Sequence, residues 1–151
     1  MSPNTEVTTR GGVRPIREDL MLNVGGPLDQ VRLAGTRCSA CGETTLGALS
    51  HCPNCGSGQV SSLPLSPRGS VWSYTVARHK PPGDYRGPEP FKPFGIGLVE
   101  LPEGLRMMTR IDGDIDALDV GLPVEFSPYL RHDEDGSIVV AFTFKAVEAA
   151  P

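Results

Sequence analysis

Hydrophobic positions along the chain fall into two regimes that change near residue 68. In the first, apolar residues are scattered and broken by glycine and proline. Met1 to about Pro15 is polar and is expected to form a flexible tail over residues 1–15. Ile16, Leu20 and Val24 recur at i, i+4 and i+8, the spacing of one helix face. Residues 16–36 are therefore assigned an N-terminal helical segment, interrupted at Gly25-Gly26-Pro27. Val31 to Thr36 is expected to begin a strand leading into the first cysteine pair, and Val60 to Pro67 to act as a connector.

From Gly69 onward the pattern is that of strands. Val71-Trp72-Ser73-Tyr74-Thr75-Val76 is dense in β-branched and aromatic residues. Gly95–Leu101, Leu105–Ile111, Pro123–Leu130 and Ile138–Val147 supply four more candidates. Glu103-Gly104 predicts a tight turn between the second and third strands, and Asp133 to Ser137 a polar hairpin loop between the last two. Lys80 to Pro93, with five prolines and two glycines, reads as a long exposed loop. Five strands over residues 68–147 suit a small barrel, because closure removes exposed edges. An open sandwich is the structural alternative. The predicted class is mainly β, with a short N-terminal helix, a cysteine unit over residues 37–60 and a C-terminal five-stranded barrel.

Composition narrows this picture. The 151 residues suit one medium domain or two small ones sharing a core. With 18 Gly and 15 Pro, long helices are disfavoured and short strands joined by turns are favoured. A net charge of −4 argues against a protein whose main task is gripping nucleic acid. No apolar run reaches the ~18 residues that a membrane span needs. The polar N-terminus has no signal core, so a cytoplasmic location is expected.

The four cysteines carry the sharpest chemistry. They stand as Cys38-Ser39-Ala40-Cys41 and Cys52-Pro53-Asn54-Cys55, each pair followed by glycine (Gly42, Gly56). Two intervening residues let both thiolates of a pair face one ion while backbone amides point at the sulfurs. Two such knuckles supply a tetrahedral four-thiolate set, the preferred closed site for structural zinc. Four thiolates also suit iron, with zinc the default. Disulfides would need an oxidising compartment. His51 adjoins Cys52 but is read as a bystander, since four thiols fill the site. With no open coordination position, the metal is expected to be structural and not catalytic.

Other candidates have bland readings beside the sharp ones. Asp112, Asp114, Asp116 and Asp119 hint at calcium, but an EF-hand loop would need glycine at Ala117 and glutamate at Pro123. A solvated turn is the better reading. Trp72 with Tyr74, and Phe142 with Phe144, are each expected to share one strand face, and either pair could stack bases. Barrel core is the competing role for at least one of them. Arg78, His79, Lys80, Arg86 and Lys92 cluster around the proline-rich loop and could meet phosphates, or form an ordinary basic loop. The three histidines lie outside any recognisable catalytic motif, so nothing in the sequence supports independent catalysis.

Taken in order, these parts resemble the family of acyl-CoA-associated zinc-ribbon/OB-fold proteins. The resemblance rests on Cys38, Cys41, Cys52 and Cys55, on Gly69–Thr75, on Pro93–Gly104, on Asp119–Phe126 and on Phe142-Thr143-Phe144. Phe94-Gly95 departs from it, since the family often has a larger residue after the aromatic. The resemblance implies a rubredoxin-like ribbon, an OB-type barrel and structural zinc. It also implies a thiolase-like catalytic partner, in a complex of two copies of each chain. Members accompany thiolases, steroid side-chain aldolases, phloroglucinol-forming acetyltransferases and benzoylsuccinyl-CoA thiolase. The small subunit is then non-catalytic, completes the active-site entrance and can hold CoA or acyl-CoA, for which Arg78, Lys80, Arg86 and Lys92 are the candidate phosphate contacts. The proline-rich loop is expected at the partner interface or the acyl-CoA entrance. The competing readings are a single-stranded nucleic-acid-binding OB module and a lone hydrolase of CoA thioesters.

Overall fold

The computed structural model describes residues 13–83 and 90–147. Among them, ten strands run in chain order. They are β1 (Val13–Pro15), β2 (Met21–Leu22), β3 (Arg32–Cys38), β4 (Thr44–Leu46) and β5 (Val60–Pro64), followed by β6 (Arg68–Ala77), β7 (Phe94–Glu100), β8 (Arg106–Asp112), β9 (Pro123–His132) and β10 (Ile138–Ala146). Among the described residues, helix is limited to 3-10 turns at Leu28–Gln30 and Ile115–Ala117. Among the described residues no helix is long and apolar enough to cross a membrane.

Strands β6 to β10 close into a five-stranded barrel. Antiparallel pairing joins β6 to β7, β7 to β8, β9 to β10 and β9 back to β6. A short parallel contact, Phe144 opposite Ile111, joins β10 to β8 and completes the ring. The closed form therefore stands and the open sandwich does not. Strict alternation along β7 and β8 sends Val99, Met107, Thr109 and Ile111 inward. Gly95 explains the departure from the family pattern. A Cβ there would sit 2.6 Å from Leu118 Cδ1, so Leu118 from the neighbouring turn fills the space that a larger residue would occupy.

The N-terminal part corrects three expectations. The helical segment over 16–36 is a bent strand-and-turn segment. Leu20 and Val24 are buried as the spacing predicts, but Met21 between them is fully buried too, and Ile16 is exposed. Met21 and Leu22 pair with Leu33 and Arg32 of β3, and Asn23 takes a left-handed φ of 65° at the reversal. A helix this short would leave most of its end groups unpaired, whereas a neighbouring strand satisfies them. The tail assignment is also too long, since Val13–Pro15 lies parallel to β10 with Val13 opposite Ile138. Residues 1–12 lie outside the described residues. The connector at Val60–Pro67 contains β5, which pairs along β3 from Ala34–Pro64 to Cys38–Val60.

One hydrophobic core unites the two sheets. Met21, Val24, Val31 and Leu33 from the N-terminal part pack with Leu65, Val71, Val99, Leu101 and Phe144 in the same cluster. Gly35 of β3 is held against Leu65, whose Cδ2 would be 2.5 Å from an added Cβ. Backbone bonds repeat the union: Leu65 N–H donates to the Leu33 carbonyl at 2.8 Å.

This shared core predicts that a cavity on the cysteine side is felt in the barrel. Leu33→Ala is expected to destabilise the protein by about 2–5 kcal/mol. Trp72, the one tryptophan, stands in β6 and reports barrel unfolding. The Trp72-monitored urea midpoint should fall in the variant; an unchanged midpoint would mean that the two sheets unfold independently.

Candidate functional site

The cysteine loops are two knuckles built alike. Cys38 ends β3, and its carbonyl accepts from Gly42 N–H at 2.9 Å, while its own N–H donates to the Glu43 carbonyl at 2.9 Å. Cys52 repeats both bonds, with Gly56 N–H at 2.8 Å and the Ser57 carbonyl at 2.8 Å. Gly42 and Gly56 have φ of 81° and 79°, the left-handed region that closes each knuckle and that glycine reaches freely. Nothing lies within 4 Å of a Cβ at either position, so backbone conformation and not space dictates glycine.

The knuckles bring Cys38, Cys41, Cys52 and Cys55 together, with all four sulfurs within 4.8 Å of one another. Cys38–Cys55 and Cys41–Cys52 are the 3.6 Å sulfur pairs. Tetrahedral zinc with bonds of about 2.3 Å would place its sulfurs about 3.8 Å apart, so the set fits one such ion. Cys38 and Cys52 are buried and Cys41 and Cys55 exposed, which puts the centre at the edge of the fold. Asn54 contributes a feature the sequence reading missed. Its side-chain amide donates to Cys41 Sγ at 3.5 Å and its backbone N–H to Cys52 Sγ at 3.4 Å. Its place inside the second C-x2-C is the signal that could have found it.

The sulfurs perturb one another. The Asn54 side-chain amide is the main cause holding the Cys41 thiol down, at about 6. At Cys55 the Ser57 backbone N–H favours the thiolate, but it is outweighed by the sulfurs of Cys38, Cys41 and Cys52 together with desolvation, and the thiol is pushed up to about 12. Four thiolates at this spacing cannot all carry charge without a cation among them. That is the electrostatic condition a divalent ion meets. His51 stays outside the set, its Nδ1 3.1 Å from Ser50 Oγ.

Three of the four candidate phosphate contacts, Arg78, Lys80 and Lys92, fall among the described residues. Ala77 of β6 stands opposite Phe94 of β7, the last pair of that ladder. Arg78 directly follows that pair and Lys92 stands two residues before it, and both are exposed, as is Lys80. Arg86 lies in 84–89, outside the described residues.

The remaining candidates sort cleanly. Phe144 is fully buried and, with Phe142 and Phe126, forms an aromatic cluster with centroids 5.4–6.3 Å apart, so this pair is core. Trp72 and Tyr74 are both exposed. Val71 faces Val99 and Ser73 faces Leu98, so Trp72 is the extra residue of a bulge and strict alternation breaks there. The aspartates form a solvated turn: Asp114 caps the Asp116 N–H at 2.9 Å, Asp119 accepts from Val120 N–H at 2.8 Å, and Asp112 pairs with Arg110.

Known proteins match over most of this chain. The family model described as "ChsH2, rubredoxin-like zinc ribbon domain" covers residues 27–61, and "ChsH2, C-terminal OB-fold domain" covers residues 63–127. Benzoylsuccinyl-CoA thiolase subunit BbsA of Thauera aromatica is 28% identical over 117 residues, 76% of each chain. A DUF35 domain-containing scaffold protein of Pyrococcus furiosus is 29% identical over 122 residues, covering 79% of this chain and 86% of its own. Among solved structures, the Ltp2-ChsH2(DUF35) aldolase aligns with a TM-score of 0.56 and 31% identity, over 76% of this chain and 84% of that one. With ribbon and barrel matched in the same order on one polypeptide, the chain belongs to the ChsH2 (DUF35) family of zinc-ribbon/OB-fold proteins.

Proposed function

We propose that this chain is a non-catalytic accessory subunit of a thiolase-fold enzyme that makes or cleaves carbon–carbon bonds in acyl-CoA thioesters. The observation that carries the reading is coverage. Ribbon and barrel align together with a subunit of benzoylsuccinyl-CoA thiolase over 76% of both chains, and with a chain of the Ltp2-ChsH2(DUF35) aldolase over 84% of it. Three quarters of this chain, spanning both ribbon and barrel, resemble a protein that works in complex with another. The nucleic-acid alternative rests on the OB fold alone, and fold does not fix function. A net charge of −4 weighs against it.

In this reading Cys38, Cys41, Cys52 and Cys55 hold one zinc ion with no position left for water, so the metal organises the ribbon and does not act on substrate. Reduced thiols fit a cytoplasmic setting. Reactive groups belong to the catalytic subunit, around whose dimer two copies of this chain would sit. The cations of the loop segment, Arg78, Lys80, Arg86 and Lys92, meet the phosphates of CoA, and the proline-rich loop lies at the acyl-CoA entrance.

Purification of the tagged chain from its native host tests the accessory role. The expected product is a stoichiometric complex with a thiolase-like chain and one zinc per copy of this subunit, read by mass spectrometry and metal analysis. A zinc-bearing chain that elutes alone at every salt concentration would sink the reading. The CoA contacts are tested separately in the assembled enzyme. Arg78→Ala with Lys92→Ala should raise KM for the acyl-CoA about tenfold or more with little change in kcat, as expected when charge-assisted contacts to a non-reacting group are lost. An unchanged KM would remove these residues from the CoA site.

A further inference from the structure

The outer face of β6, β7 and β8 is built as a contact surface. Two rows cross it in register: Ser73, Leu98 and Met108, then Thr75, Ile96 and Arg110. Met108 at the centre is 72% exposed and Trp72 at one end is 46% exposed. Exposed large apolar side chains gathered on one sheet face are unusual for a surface with no partner. A cleft of about 170 Å³ runs between Tyr74, Ile96, Leu98 and Met108.

The charges on this face are already spent. Arg106 lies over the Trp72 ring at 4.1 Å and gives its Nε to Glu100 at 2.9 Å. Arg110 lies over the Phe94 ring at 4.4 Å and gives its Nε to Asp112 at 2.9 Å. Each guanidinium has both a ring and a carboxylate as partners. The two arginines and two carboxylates cancel, so the face offers no net field to a phosphate backbone. It offers instead Trp, Met and Arg, the composition of binding hot spots, with part of the ordering entropy of the two arginines removed before contact. At its far end the face runs to Phe94, beside Arg78 and Lys92 at the loop base.

We infer that this face is the docking surface for the catalytic subunit, and that it receives an uncharged apolar patch there. The inference rests on the accessory-subunit reading and names the surface that reading needs. Charge complementarity selects an apolar protein patch over nucleic acid. Continuity with the loop base selects the catalytic subunit over a second copy of this chain, because a partner seated on the face brings its acyl-CoA entrance beside Arg78 and Lys92.

The test is Met108→Asp, which puts one uncompensated charge at the centre of the face on an exposed side chain. Trp72→Ala is the second variant, and Val120→Asp, at a 64% exposed position outside these strands, is the control. Each is expressed as the full tagged chain in the native host. Met108→Asp and Trp72→Ala should keep their zinc and melting temperature and bind the catalytic subunit at least about tenfold more weakly, while Val120→Asp binds like wild type. Met108→Asp that assembles like wild type overturns the inference and leaves the accessory role standing. Wild-type chain that captures no catalytic subunit overturns both. A wild-type dimer of this chain alone that Met108→Asp converts to monomer assigns the face to a second copy and overturns the inference.

Discussion

Strand β3 carries two obligations at once, and the rest of the molecule depends on both being met. Its last residue, Cys38, belongs to the four-sulfur centre. Its interior residue Leu33 is buried in the core that the barrel also fills. β2, β4 and β5 pair with it, and Leu65 binds its backbone where the chain crosses toward β6. The ribbon is too small to bury a core of its own, so its order comes from the metal at one end and from the barrel at the other. A ribbon tied in this way is anchored to the barrel through one shared core.

The barrel spends its interior on stability and its exterior on contact. Phe126, Phe142 and Phe144 and the inward residues of β7 and β8 make the barrel core. The bulge at Trp72 lifts an aromatic ring out of that pattern and onto the outer face, where Arg106 covers it. The family's fold name evokes nucleic acid, yet the arginines that would serve that role are neutralised in place. The same barrel can serve different partners because the side chains on its outer face, and not its strand order, decide what it attracts.

The sequence was most readable where local chemistry admits one solution. Two C-x2-C-G units have few outcomes besides a tetrahedral centre, and the structure brings all four sulfurs together. The five barrel strands were readable because β-branched and aromatic residues alternate between clear turn signals, and Glu103-Gly104 closes its turn with the Leu101–Leu105 bond at 3.0 Å. The helix over 16–36 failed because its period counted Ile16, Leu20 and Val24 and ignored Met21, which is buried where it pairs with Leu33, twelve residues later in the chain. β1 and β5 were missed for the same reason: each is a short edge segment whose hydrogen bonds come from a distant strand and leave little periodic trace. The Arg106–Trp72 and Arg110–Phe94 stacks were equally hidden, since they join residues on different strands and depend on register and on the bulge.

The claim that metal, ribbon and barrel form one body is tested most directly by amide hydrogen exchange before and after removal of zinc with a chelator. The account predicts that protection is lost in the knuckles and in β3 and β5, and that it falls measurably in β6 and β7 as well, because Leu33, Leu65, Val71 and Val99 share one core. Loss confined to residues 38–56, with β3 and the barrel protected as before, would contradict it.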